Sequence, residues 1–354
     1  MDIENLKISK HEWNHPEPGQ EPGIEQGVSA AFVGRIGNRL IMAGGCNFPH
    51  HDPISPEATK RFYKGIYAAD STSMIWERIG SLPDEMAYGV TAAISDDELV
   101  LIGGTTAEKS LSSVFLLTLN DTGEPLLIEL PSLPTAIDNA SVAVIGRKVY
   151  VAGGNVDGKP SNRLFMLDMG LSKLRWESLK DMPGNNRVQP VMASGKNPGG
   201  ETCLYLFGGF SPRFDGNKPT LNVDGLVYIP SADKWEAIKG PIDDNGEGVS
   251  LAGGCAATLT DGRIAFAGGV NRNIFLEALI NQAPDYLQHP VEWYRFNPMI
   301  FVFDASSHEW QHSIPIPDVA RAGAGMVAGN EDDIYIIGGE LKPRVRSSET
   351  VHIQ

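Results

Sequence analysis

An apolar strand that ends in a Gly-Gly doublet occurs six times along the chain, and no other feature limits the fold as strongly. The six copies are LIMAGG to Gly45, LVLIGG to Gly104, VYVAGG to Gly154, LYLFGG to Gly209, IAFAGG to Gly269 and IYIIGG to Gly339. Successive doublets are separated by roughly 50 to 70 residues, which is typical of a supersecondary unit repeated around one core. The chain is therefore expected to fold as an array of six similar units.

Each unit contains more than the doublet strand. A strand of small residues comes before it, as in GVTAAIS, and an apolar strand follows it, as in SVFLLTL. A fourth strand usually carries tryptophan, although the second unit has LLIEL in that place. The tryptophans concerned are Trp13, Trp76, Trp176, Trp235 and Trp310. Four short strands separated by turn residues predict one antiparallel sheet per unit.

This pattern resembles the kelch repeat over nearly the whole chain, and the resemblance implies an all-β fold, a six-bladed β-propeller. The last unit has no fourth strand after SSETVHI, whereas NLKISKHEW at the N-terminus belongs to no unit. We therefore expect residues 5–13 to pair beside residues 348–353 and to close the last blade, which leaves no unpaired edge there. We also expect residues 1–354 to form a single domain.

The charge and composition exclude several classes of partner. The chain has 29 basic and 44 acidic residues, a formal net charge of −15, so its field disfavours nucleic acid and anionic membranes. It has no apolar run long enough to span a bilayer. The N-terminus lacks the features of a signal peptide, so we expect a cytoplasmic protein, or a periplasmic one if a leader was removed.

The cysteines and histidines do not suggest a metal centre. Cys46, Cys203 and Cys255 have no metal-binding spacing and are expected to be small buried thiols. His50 and His51 are adjacent in a Pro-Asp loop, but no third ligand accompanies them. We therefore expect no metal site.

Three irregular stretches interrupt the repeat, at 44–67, 268–298 and 338–348. Each follows the second strand of its unit, so we expect all three to converge on one mouth of the central channel. The second stretch has helical character around 272–297. There Asn273 is a candidate N-cap, and an apolar face would be formed by Ile274, Leu276, Leu279 and Ile280. This stretch would act as a cover over the mouth, or its aromatic residues would pack only on one another.

The third stretch, GELKPRVR, holds one acid and three bases within seven residues of an acidic chain. One interpretation is a solvated loop whose ions pair with each other. The other is a binding site, which is favoured by the position of the loop after a second strand and by the stiffness that Pro343 gives it.

Together these stretches resemble the sialic acid mutarotase family, also called N-acetylneuraminate epimerases. Residues 339–346 match the family motif Gly-Glu-x-Lys-Pro-x-x-Arg at every fixed position, and GGVNRNIF at 268–275 matches a second motif. PGNNRVQ at 183–189 and EATKRFY at 57–63 resemble two others. The order of the motifs is rotated relative to the enterobacterial members, so the chain is similar to a circularly permuted member.

The resemblance implies an isomerase that interconverts the α and β anomers of N-acetylneuraminate by acid–base ring opening and closing, without a cofactor. By resemblance, Glu340 is the acid–base carboxylate and Arg346 binds the carboxylate of the sugar. Substrate-binding roles are implied for Arg187, Gln189, Asn271, Asn273, Lys342 and Asn47. The expected partner is a small sugar acid, with neither nucleic acid nor membrane, and a homodimer stays open.

Other functions of kelch propellers remain as alternatives. The main one is a non-catalytic propeller that binds protein or carbohydrate, although such modules usually have short, similar loops. A copper-radical oxidase would need a Cys–Tyr crosslink with two histidines in register, and the three cysteines lie in the wrong contexts. A sialidase-like hydrolase would need a tyrosine nucleophile and Asp-box repeats, which the sequence lacks.

Overall fold

The computed structural model describes residues 1–13, 21–49, 52–55, 57–330 and 332–354. His50 and His51, considered above as metal ligands, lie outside these residues. Six antiparallel sheets account for most of the regular structure. They correspond to the six predicted units, and the fold is a six-bladed β-propeller of the kelch type. None of the helices in the described ranges is long and apolar enough to cross a bilayer.

Each blade has four main strands, which are named in order from the channel outward. Blade 1 contains Phe32–Ile36, Arg39–Ala43, Gly65–Asp70 and Trp76–Ser81. Blade 2 contains Val90–Ser95, Glu98–Ile102, Val114–Leu119 and Pro125–Leu130. Blade 3 contains Ser141–Ile145, Lys148–Ala152, Leu164–Asp168 and Trp176–Ser178.

Blade 4 contains Val188–Lys196, Thr202–Ser211, Gly225–Ile229 and Lys234–Ile238, with Thr220–Leu221 added beside its second strand. Blade 5 contains Cys255–Thr258, Ile264–Ala267, Ile300–Asp304 and Glu309–His312. Blade 6 contains Gly325–Ala328, Ile334–Ile337, Glu349–Ile353 and Ile8–Glu12. Shorter strands are Cys46–Asn47 with Arg61–Phe62, Glu340–Lys342 with Val345–Arg346, and Ile137–Asp138 with Asn155–Val156 and Lys159–Pro160.

The N-terminal strand closes the last blade, as predicted. Ile8–Glu12 runs antiparallel to Glu349–Ile353, with Ile8 opposite Ile353 and Glu12 opposite Glu349. Trp13, only 5% exposed, follows this strand, and its indole N–H donates to the hydroxyl of Thr350 at 3.1 Å. The first and last described segments of the chain are therefore held in one sheet.

Three of the repeated tryptophans, Trp176, Trp235 and Trp310, connect the outer strand of their blade to the blade before it. The indole N–H of Trp176 donates to the carbonyl of Pro131, and that of Trp235 donates to the carbonyl of Lys180. The buried apolar core lies between neighbouring blades, as where Phe32 and Ile41 of blade 1 pack with Leu99 of blade 2. Cys46, Cys203 and Cys255 are buried free thiols, as expected.

The Gly-Gly doublets mark places where two blades nearly touch. Gly338 and Gly339 have φ values of 62° and 98°, in the left-handed region that favours glycine. A Cβ on Gly338 would lie 2.4 Å from the carbonyl oxygen of Val28 in the neighbouring unit. The doublet therefore provides both the turn and the close approach, and it fixes the direction in which Glu340 leaves the blade.

A closed circle of backbone hydrogen bonds surrounds the channel at the end where the doublets lie. One residue from each unit takes part. In five blades it lies two positions before the inner strand, and in the fourth blade it lies within that strand. Each donates its N–H to the carbonyl of its counterpart in the preceding unit, over 2.7 to 3.0 Å, and all six have positive φ. The members of this axial ring are Ala30, Tyr88, Asn139, Gln189, Gly253 and Gly323. Because Ala30 of the first unit donates to Gly323 of the sixth, the circle closes between the first and the last blade.

The helical excursion is present, but its cap differs from the prediction. The α-helix spans Arg272–Asn281, and Asn271 is its N-cap, accepting hydrogen bonds from the N–H groups of Asn273 and Ile274. Asn273 therefore lies inside the first turn. The helix buries no residue completely, and Ile280 is 48% exposed. Phe275 of the helix packs edge-on against Phe210. Short 3₁₀ turns lie at Ile24–Gln26, Pro230–Ala232, Tyr286–Gln288, Val291–Tyr294 and Pro317–Val319.

Candidate active site

The three irregular stretches meet at one mouth of the channel, which confirms their predicted convergence. The hairpin formed by Glu340–Lys342 and Val345–Arg346 lies between the other two. On one side, Lys342 Nζ donates to the carbonyl of His289 at 2.7 Å. On the other, Arg344 Nη1 donates to the carbonyl of Pro53 at 3.3 Å. The hairpin is thus fixed between both neighbouring loops.

Glu340 is positioned by its own backbone at the edge of the axial ring. Its N–H donates to the carbonyl of Ala322 at 2.6 Å, and its carbonyl accepts from the N–H of Ala322 at 2.9 Å. Its carboxylate contacts the guanidinium of Arg346 directly. The Glu340 side chain is 24% exposed, whereas that of Arg346 is only 3% exposed. The carboxylate therefore faces the mouth, with the cation behind it.

Two opposing influences act on the protonation of Glu340. Burial raises the pKa of the Glu340 carboxyl, because a charged carboxylate loses solvation there. The positive charge of Arg346 lowers this pKa, and the N–H of Arg344 and the charge of Lys60 act in the same direction. Burial has the larger effect, so the net displacement of the pKa is upward. A carboxyl group tuned in this way can exchange protons nearer to neutral pH than an ordinary glutamate.

Several cations gather around one aromatic ring beside this pair. The charged groups of Lys60, Arg344 and Arg346 lie 5.8, 5.0 and 5.6 Å from the centroid of Phe48. Such distances are typical of cation–π contacts, which hold positive charge in place without neutralising it. In a protein with a net charge of −15, the mouth is consequently a local positive site suited to an anion.

A cavity of about 670 Å³ opens next to this cluster. Its walls include Lys60, Tyr88, Asn139, Gln189 and Phe210. Lys60 Nζ donates to the phenolic oxygen of Tyr88 at 2.9 Å, and Gln189 Nε2 donates to Asn139 Oδ1 at 2.8 Å. The cavity is large enough for a monosaccharide and presents polar groups on its floor.

Gln189 is the residue of the predicted substrate-binding group that lines this cavity. Arg187 is 2% exposed, and its guanidinium donates to the carbonyl of Gly208 and to both carboxylate oxygens of Asp224. Arg321 makes the corresponding bonds in blade 6, to the carbonyl of Gly338 and to Glu349. The structure thus gives Arg187 a role in holding the turn between two strands.

The other predicted residues are also bonded within the protein. Asn47 is 1% exposed, donates to two backbone carbonyls and accepts from the hydroxyl of Tyr63. Asn271 and Asn273 line a different cavity of about 540 Å³, which adjoins Asp243. Lys342 contacts the excursion through the carbonyl of His289. The hydrogen bonds of Asn47 and Lys342 hold the loops around the mouth in place.

Sequence reasoning missed Phe48, Lys60, Tyr88 and Asn139 as site residues. Lys60 lies within EATKRFY, a motif that implies no role for any single residue, and Phe48 lies in the first irregular stretch. Tyr88 and Asn139 belong to no motif. Tyr88 and Asn139 could have been found from a shared position, two residues before the inner strand of their blades. Residues at that position form the axial ring in every blade but the fourth.

The described residues contain no group of three or more His, Cys, Asp or Glu side chains that could hold a metal ion. The chemistry available from the side chains at this mouth is proton transfer by Glu340 and stabilisation of negative charge by the surrounding cations.

Comparison with known proteins identifies the relatives of this chain. The family model for N-acetylneuraminate epimerase matches residues 130–354, which is more than half of the chain. The N-acetylneuraminate epimerase of Salmonella typhimurium is 26% identical over 231 residues, which cover 62% of this chain and 56% of that protein. Its counterpart in Haemophilus influenzae is 30% identical over 236 residues, covering 62% and 58%. The matched stretch thus spans a little over half the length of these curated relatives.

A solved structure described as that of YjhT superposes with a TM-score of 0.51 at 27% identity. The superposition covers 61% of this chain and 62% of the YjhT chain. The sequence and structure comparisons therefore agree on a shared segment of similar length.

Proposed function

Because the chain belongs to the N-acetylneuraminate epimerase family, we propose that it is an isomerase that interconverts the α and β anomers of N-acetylneuraminate. The observation that carries this proposal is the Glu340–Arg346 pair, which stands in the motif GELKPRVR and faces the positively charged mouth. The substrate is a sugar acid whose carboxylate is attached to the reacting carbon. A mouth that combines a proton-exchanging carboxylate with several cations suits such a molecule.

We further propose that the order of the blades is circularly permuted relative to those relatives. The family match begins at residue 130, the end of blade 2, and continues to the last residue. Blades 1 and 2 nevertheless supply Phe48, Lys60 and Tyr88 to the mouth. In a closed circle of blades, a change in the starting blade leaves the spatial neighbours unchanged, and a linear alignment then covers only one segment.

Anomer exchange needs two proton movements in each direction. The anomeric hydroxyl loses a proton, the bond from the anomeric carbon to the ring oxygen breaks, and the ring oxygen gains a proton. Ring closure on the other face reverses these steps. The carboxylate of Glu340, which is partly exposed, takes the hydroxyl proton as general base and returns it on closure. Arg346 holds the carboxylate of Glu340 in place and, with the neighbouring cations, attracts the carboxylate of the sugar.

The direct test follows the anomeric NMR signals of freshly released α-N-acetylneuraminate with and without the protein. The protein should speed the decay to the equilibrium mixture without changing the final ratio, because a catalyst does not shift an equilibrium. If the signals decay at the spontaneous rate while the sugar still binds, the protein is a carbohydrate-binding propeller and the catalytic proposal is wrong.

Arg346→Ala should weaken the binding of the sugar acid by about 2–4 kcal/mol, since it removes a buried, hydrogen-bonded cation and leaves Glu340 unpaired. Arg344→Ala should cost much less, because the Arg344 guanidinium lies over Phe48 and donates to the carbonyl of Pro53, whereas that of Arg346 contacts the Glu340 carboxylate. Calorimetric titration of both variants measures the difference. Equal losses would show that the cations act as one cluster and that Arg346 has no separate role.

The pH dependence of the rate should reflect Glu340. Burial raises the pKa of this carboxyl, so the basic form is lost at a higher pH than for an ordinary glutamate as the solution is acidified. We expect the rate to fall with decreasing pH through an apparent pKa above the usual glutamate range. In Arg346→Ala this fall should occur at still higher pH, since Arg346 lowers the pKa of Glu340. An acid limb at or below the ordinary pKa would contradict this assignment.

A further inference from the structure

The mechanism above leaves one proton without a donor, namely the proton that the ring oxygen needs when the ring opens. Glu340 starts that step without a proton and faces the anomeric hydroxyl, so a second group on the other side of the sugar would complete the reaction. Three residues of the axial ring line the cavity, namely Tyr88, Asn139 and Gln189. Tyr88 is the one among these three with an acidic hydroxyl.

Tyr88 has an unusual backbone for a bulky residue. Its φ is 61°, in the left-handed region where glycine and asparagine are common and aromatic residues are rare. Gly253 and Gly323 occupy equivalent ring positions at no such cost. Conformations of this kind persist where the surrounding structure enforces them, and they concentrate at functional sites. The strain at Tyr88 has the effect of placing a phenol on the cavity floor.

The surroundings of the Tyr88 hydroxyl suit a proton donor. Lys60 Nζ donates to the phenolic oxygen at 2.9 Å and lies 4.8 Å from the centroid of the ring. This ammonium group would stabilise the negative charge that the oxygen gains when it gives up its proton. Burial and the neighbouring Cys46 raise the pKa of Tyr88 well above its ordinary value, so the resting phenol carries its proton. Lys60 and Arg346 lie over the same ring of Phe48, at 5.8 and 5.6 Å from its centroid, so the Tyr88–Lys60 pair lies close to the Glu340–Arg346 pair.

We propose that Tyr88 is the second proton-transfer residue of the epimerase reaction, acting opposite Glu340 and assisted by Lys60. This inference rests on the proposed function. Glu340 takes the proton of the anomeric hydroxyl, and the electron pair of that O–H bond forms the C=O bond of the open-chain ketone. The bond between the anomeric carbon and the ring oxygen breaks, and the ring oxygen takes the phenolic proton. The resulting phenolate is paired with the Lys60 ammonium.

Closure of the sugar ring returns Glu340 and Tyr88 to their starting protonation states. After the ketone has turned its other face to the released hydroxyl, the phenolate takes the proton of that hydroxyl. The oxygen attacks the carbonyl carbon, and the carbonyl oxygen takes the proton held by Glu340. No atom or electron is gained or lost, and both residues return to their starting states.

Tyr88→Phe is the decisive variant, because it removes one oxygen and keeps the ring and the backbone. At saturating α-N-acetylneuraminate we expect the rate of anomer exchange to fall by about 10²-fold or more, with the dissociation constant of the sugar changed by less than about threefold. Lys60→Met should produce a smaller loss, since the phenol remains. Tyr228→Phe is the matched control: it also removes a hydrogen-bonded phenolic oxygen, bonded to Asp233 in blade 4, and should keep the wild-type rate.

The outcomes separate this inference from the function on which it rests. If wild type and Tyr88→Phe are equally fast while Glu340→Gln is slow, Tyr88 has no proton role and the epimerase proposal stands. If Tyr88→Phe weakens binding but keeps the saturated rate, Tyr88 only binds the sugar and the inference is again overturned. If wild type itself does not accelerate the exchange, both proposals fail together.

Discussion

Glu340→Gln is expected to lower the rate of anomer exchange by about 10²–10⁴-fold, the contribution of a positioned acid–base group. Glutamine keeps the size of the side chain and an oxygen that can accept from Arg346, but it cannot take a proton. Binding of the sugar acid should be retained or become tighter, because Arg346 no longer faces a competing carboxylate. The anomeric NMR decay measures the rate, and a titration of the same protein with the sugar measures the binding.

Glu349→Gln provides a closely matched control for this variant. Glu349 also pairs with a buried arginine of blade 6, Arg321, at 3.1 Å, but it supports a turn and does not face the mouth. Its replacement should lower stability and leave the rate per folded molecule unchanged. An equal loss of rate in both variants would indicate a general effect of removing a buried charge, contrary to the role assigned to Glu340.

Deletion of residues 1–13 is expected to have the largest effect on stability. It removes the outer strand of blade 6 and with it Trp13, whose ring lies 6.2 Å from that of Trp76 and packs with Tyr335. Truncation of a single buried tryptophan costs about 3–5 kcal/mol, and the strand hydrogen bonds to Glu349–Ile353 are lost in addition. The melting temperature should fall, and the unfolding transition should stay cooperative if the blades depend on one another.

Ile8→Ala is a suitable reference for this deletion. Ile8 lies in the same strand but is 42% exposed, so the substitution should change the melting temperature little. A truncated protein with an unchanged melting temperature would show that the N-terminal strand is dispensable for closure.

Much of this architecture could be predicted because its determinants are local. A Gly-Gly doublet requires two successive positive φ values and close approach of the next blade, and both requirements are visible in the sequence as residue type. The missing fourth strand of the last unit indicates, from the sequence alone, that the N-terminal segment containing Ile8–Glu12 is its partner. The GELKPRVR stretch is conspicuous as an acid among bases in an acidic chain, and its match to the family motif indicates Glu340 as a candidate.

The rest of the site depends on contacts between residues far apart in the chain. Lys60 and Tyr88 meet across two blades, and Arg346 reaches the carbonyl of Cys46 from the opposite end of the sequence. Arg187 and Asn47 looked like binding residues because they lie in or near motifs. Their hydrogen bonds to Asp224 and to backbone carbonyls could not be predicted, since the partners lie about 20 to 37 residues away in the chain. The helix cap is Asn271 and not Asn273, because the apolar pattern predicts which face of a helix is buried and does not define its first residue.

The axial ring has an electrostatic consequence for recognition. Its six N–H···O=C hydrogen bonds all run the same way around the channel, head to tail in a closed circle, so the tangential components of the dipoles along these bonds cancel. The circle therefore has no net dipole around the channel, and its donor N–H groups, unlike those of a helix N-terminus, are already engaged. The electrostatic attraction of a sugar acid therefore comes from the charged side chains of Lys60, Arg344 and Arg346. A different acid could thus be selected by exchanging side chains alone, while the backbone circle beneath them stays the same.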